Sequence, residues 1–71
     1  MNYLLDALII RLEGDIAIAK ANVNVYMKNS AGIGEHPDIV ESIETQISKI
    51  AEAEDKINAI NTHFGIGKEN V

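Results

Sequence analysis

The sequence predicts an all-α fold, an antiparallel two-helix hairpin, on three observations. Apolar residues recur at helical spacing on both sides of one break, in alternating steps of four and three before it. That break, Gly32-Ile33-Gly34-Glu35-His36-Pro37, packs two glycines and a proline into six residues. The apolar stripes either side of it are of similar length and the connection is short, so the helices must be antiparallel neighbours.

The first helix is predicted from about 2 to 29. Asn2 can accept from the orphan amides of the first turn. Leu5, Ile9, Leu12, Ile16, Ala19, Val23 and Tyr26 form the a/d-like stripe of a helix packed along its length. At ~1.5 Å per residue such a helix is about 40 Å long. Leu4, Leu8 and Ile10 add apolar surface that one partner helix cannot cover, and they are read as an oligomer contact, the alternative being a generous edge of the hairpin core. Gly14 interrupts the helix at a cost of about 1 kcal/mol relative to alanine, and marks either close helix approach or simple tolerance.

The turn is predicted over 30–36. Gly32 or Gly34 can take the left-handed conformation that ends a helix. Pro37 suits the first position of the next helix, which makes His36 its N-cap. Asp38, Glu41 and Glu44 then lie where the helix dipole favours negative charge.

The second helix is predicted over 37–64, with a buried stripe of Val40, Ile43, Ile47, Ile50, Ile57 and Phe64. Ile39, Ala53 and Ile60 lie beside that stripe, and Glu41, Thr45, Ser48, Glu52, Asp55 and Thr62 lie opposite it. Glu52 and Lys56 form an (i, i+4) pair in the favourable order. Gly65 is a natural residue to follow a helix, Ile66 can fold back near Ile60, and 65–71 reads as a tail. Leu5, Ile9 and Leu12 should meet Ile57, Ile60 and Phe64, while Val23 and Tyr26 should meet Val40 and Ile43.

A chain of 71 residues makes one domain at most, and one so short usually needs disulfides, a metal or a partner subunit. It has no cysteine, which excludes disulfides and thiolate metal sites. Self-association is the remaining route, so a homo-oligomeric bundle is expected. A dimer of hairpins makes four helices, and isoleucine-rich seams also suit trimers or tetramers. A hydrophobic fraction of 46% is that of a folded chain.

The net charge of −5 is unevenly placed. Residues 1–31 balance Arg11, Lys20 and Lys28 against Asp6, Glu13 and Asp15. Residues 32–71 set three lysines against eight acids. An acidic surface repels phosphate backbones, which argues against direct nucleic-acid binding and suits a basic protein partner. Asp6, Arg11 and Glu13 interrupt the apolar N-terminus, which has no basic leader region, so it does not read as a signal peptide. The longest aliphatic run, Ala7 to Ile10, is too short to span a membrane. A cytoplasmic or virion-associated location is the resulting expectation.

Residues 21–40, with Tyr26, Asn29 and the Gly32-to-Pro37 turn at their centre, resemble a segment of small proteins of tailed bacteriophages, marine ones in particular. The acidic amphipathic helix that follows is also similar. The resemblance implies a phage origin, and hence host cytoplasm as the location. It carries no functional residue over.

Few residues suggest chemistry. A Glu35-His36-x-Asp38 turn contains metal-ligand types, but His63 lies about 40 Å from His36 by helix rise, and a structural site needs about four ligands. Helix capping explains the same residues more simply, and no metal or cofactor is expected. No serine, histidine and acid fall at a motif spacing, and Gly32-Ile33-Gly34 lacks the third glycine and the preceding strand of a phosphate loop. Carboxylate pairs such as Glu52/Asp55 and Glu54/Asp55 sit on a solvated face. Tyr26, Asn29, Glu35 and His36 could together form a recognition tip, although turns carry such residues for local reasons as well.

A non-enzymatic, oligomeric protein-interaction protein is therefore expected. The alternatives are an acidic inhibitor or nucleic-acid mimic acting on a basic protein site, or a minor virion or assembly component.

Overall fold

The computed structural model describes residues 3–28 and 36–65, excluding the side chains of His36 and Pro37. Two helices account for nearly all of it: α1, Tyr3–Lys28, and α2, His36–Phe64. They lie side by side as an antiparallel hairpin 49 Å long and 15–18 Å across. α2 begins at His36, one residue ahead of the expected start. Thr45 stays compatible with its helix by returning its hydroxyl to the Glu41 carbonyl, at 3.0 Å.

The seam of α1 is the one its periodicity predicts. Leu12 and Ala19 are buried, and Leu5, Ile9, Ile16, Val23 and Tyr26 are half-buried beside them. Leu12 joins Ala53 and Ile60 in the core, with Leu5, Ile9, Ile16 and Ile57 packed against the cluster. This places the start of α1 against the end of α2, as an antiparallel hairpin requires. Ala19 and Ala53, 1% and 3% exposed, fill seam positions with small side chains.

The seam of α2 differs from expectation. Its inward positions are Ile39, Ile43, Gln46, Ile50, Ala53, Ile57 and Ile60. Val40, Ile47 and Phe64, expected inside, are all exposed. Val40 and Ile47 each sit one residue past a seam position, a rotation of about 100° around the helix. The four-three spacing through Ile43 and Ile50 passes through position 46, and Gln46 occupies it because it finds a polar partner across the seam. Phe64 is uncovered for another reason. Counting from the Asn22–Gln46 contact, it stands level with Leu4, in the first turn of α1, whose side chain is itself turned outward.

α2 ends as Gly65 predicts. Gly65 adopts φ +74°, and its N–H donates to the Asn61 carbonyl at 3.2 Å, the single bond of a left-handed helix ending. The fold-back assigned to Ile66, the turn at 30–35 and the tail beyond Gly65 lie outside the described residues. Gly14 is the tolerated kind of glycine, since a Cβ built on it meets nothing within 4 Å.

Among the described residues, no large side chain is fully buried. One seam between two helices is a thin core, and much apolar surface is left outside it.

Candidate interaction surface

The two helices present very different outer faces. On α2 the exposed side chains are mostly polar, and six are acids: Asp38, Glu41, Glu44, Glu52, Glu54 and Asp55. Lys49 and Lys56 are the cations among them, and Lys56 reaches Glu52 at 3.4 Å along the helix. On α1 the exposed set includes Tyr3, Leu4, Leu8, Ile10, Ile18, Val25 and Met27. An isolated surface helix normally confines its apolar residues to one stripe. α1 carries its seam and then continues apolar beyond it.

Part of the excess is ordered. Leu4, Leu8, Arg11, Asp15, Ile18, Asn22 and Val25 repeat the four-three spacing of the seam, shifted back by one residue. This second stripe therefore runs the length of α1 about 100° around from the first. Leu4 is 83% exposed and Ile18 63%. Asn22, half-buried, is its bridge to the seam, because its side chain bonds Gln46.

Of the contact expected from Leu4, Leu8 and Ile10, all three side chains are exposed. The helix brings Leu4 and Leu8 onto one face, one turn apart, and turns Ile10 to nearly the opposite side of α1. Of the expected recognition tip, Tyr26 is half-buried on the seam side of α1 and His36 opens α2. Asn29 and Glu35 lie outside the described residues.

A shallow groove of about 290 Å³ runs beside the second stripe, floored by seam residues. Asp15 and Ile18 of α1 flank it on one side, and Lys49, Glu52 and Lys56 of α2 on the other. Its walls carry mixed charge on exposed side chains. Among the described residues, no three histidine, cysteine or acidic side chains gather to hold a metal. No helix is long and apolar enough to cross a membrane, again among those residues.

Gln46 and the Arg11–Asp15 pair are the positions that a search for apolar residues passes over. The signal that finds them is the spacing itself, followed through polar positions as well as apolar ones. The chain matches no protein-family model, no curated protein and no solved structure.

Proposed function

We propose that this chain is a non-enzymatic assembly module whose hairpins associate with one another through the outer face of α1. The observation that supports this reading is the second stripe, in which Leu4, Leu8, Ile18 and Val25 stand exposed at seam spacing. Exposed apolar residues scattered singly need no explanation, but four that recur at seam spacing along one helix do. Two stripes about 100° apart are what a helix at the corner of a four-helix bundle uses to touch both neighbours. Pairing of two hairpins would cover the row and complete the core.

The outer face of α2 would then remain exposed and acidic, available to a partner with a basic surface. An acidic inhibitor or mimic is the second reading, and the six exposed acids of α2 favour it. Salt separates the two uses of the surface. Contacts made by α2 charges to a basic partner weaken as ionic strength rises, whereas the apolar part of the association through α1 holds. A phage-encoded assembly component is the biological setting we favour, in line with the resemblance of residues 21–40, and mass spectrometry of purified particles tests it.

The experiment for the main reading is the solution mass of the chain beside that of Ile18→Glu. The wild-type chain is expected at a multiple of 7.7 kDa. Ile18 is too exposed to hold the hairpin together, so the substitution should shift the mass toward the monomer by disrupting the contact alone. A wild-type monomer at every concentration rejects the reading.

A further inference from the structure

We propose that the second stripe of α1 pairs with its own copy in antiparallel orientation, across a two-fold axis at the level of Glu13. The proposal rests on the self-association reading above and assigns it a geometry.

The stripe is self-complementary in one register. A two-fold contact places the same surface on both copies, so residue i meets j while j meets i. With the axis level with Glu13, Arg11 of one copy faces Asp15 of the other, and this happens twice. Leu8 then faces Ile18, also twice, and Leu4 faces Asn22. Apolar contacts thus flank a central pair of opposite-charge contacts. A parallel pairing would instead stack Arg11 on Arg11 and Asp15 on Asp15.

The structure leaves those charges available. Arg11 and Asp15 are both exposed and lie four residues apart on one face. Even so, Glu52–Lys56 is the one ion pair among the described residues. The competing face is electrostatically worse. α1 carries three cations and three anions over Tyr3–Lys28, whereas α2 carries six acids and two lysines over His36–Phe64. An α2–α2 contact would bring two acidic surfaces together, and an α1–α1 contact brings two neutral ones.

The test uses the whole chain. Arg11→Glu turns both central contacts repulsive and should weaken self-association about tenfold, as read by sedimentation equilibrium. Adding Asp15→Arg to that variant reverses both signs and should restore wild-type association. A parallel pairing gains nothing from the reversal. The chain has no cysteine, so Leu8→Cys and Ile18→Cys report position cleanly. Oxidising the two variants together should give a mixed disulfide, and neither should cross-link alone, since its thiols would lie about 15 Å apart along the axis.

If the chain associates but Leu8→Cys links to itself, or Arg11→Glu leaves association unchanged, the antiparallel geometry is overturned and self-association stands. If the wild-type chain stays monomeric, both fall. Helicity recorded for every variant separates a lost contact from a lost fold.

Discussion

The side-chain amide of Asn22 donates to the side-chain oxygen of Gln46 at 3.1 Å, across an otherwise apolar seam. Gln46 is 8% exposed, the one polar residue among the described side chains that is buried. No buried side-chain polar atom among the described residues is left without a partner. Apolar seams are tolerant of sliding, because isoleucine meets isoleucine equally well a turn away. A polar pair is not, since a shift in register strands both amides in the seam. The contact therefore ties position 22 of α1 to position 46 of α2 and sets the alignment of the hairpin.

Removing one member should cost more than removing both. Gln46→Ala deletes the bond and leaves the Asn22 amide without its partner, for an expected loss of about 1–3 kcal/mol. Replacing both residues by leucine should return that stability or exceed it, at the expense of a unique register. Denaturant midpoints measure the first effect. Broadened amide spectra of the double-leucine variant would reveal the second.

Leu12 and Ile47 separate the true seam from the one apolar content alone would choose. Leu12 is 5% exposed in the core cluster, so Leu12→Ala should cost about 2–5 kcal/mol, enough to unfold a hairpin with so thin a core. Ile47 is 49% exposed, and Ile47→Asp should cost no more than about 1 kcal/mol and keep the chain helical. Circular dichroism of the two variants settles the facing. Loss of the helical signal in Ile47→Asp would show that Ile47 is covered after all.

The two described glycines should respond with opposite sign. Gly14 lies in a regular helix with open space around it, so Gly14→Ala should stabilise by about 1 kcal/mol. Gly65 is held at φ +74°, where a side chain is strained, so Gly65→Ala should destabilise by about 1 kcal/mol. Thermal midpoints recorded under one set of conditions test both signs.

Most of the fold is legible in the sequence, because helical period, turn residues and loop length all agree. Every seam position of α1 follows from spacing, and Gly65 ends α2 for the reason its residue type suggests. α2 is misread where residue type is weighed above spacing. Ile47 is apolar and Gln46 is not, yet position 46 is the one that faces α1. Nothing in Gln46 alone announces a burial that depends on Asn22, twenty-four residues earlier. The candidate surface is legible in its parts, through Leu4 and Leu8. Ile10 joins them by nearness in sequence, but the helix carries it to another side. The roles of Arg11 and Asp15 emerge only once the stripe is followed as a geometric line.

Pairing through α1 is tested most simply by the mass of the chain in solution over a wide concentration range, with helicity followed in the same samples. The expected result is an oligomer at high concentration whose mass falls toward 7.7 kDa on dilution as the contact between copies is lost. A fully helical monomer that persists throughout would contradict it, and would mean that the exposed row along α1 is not covered by a second copy of this chain.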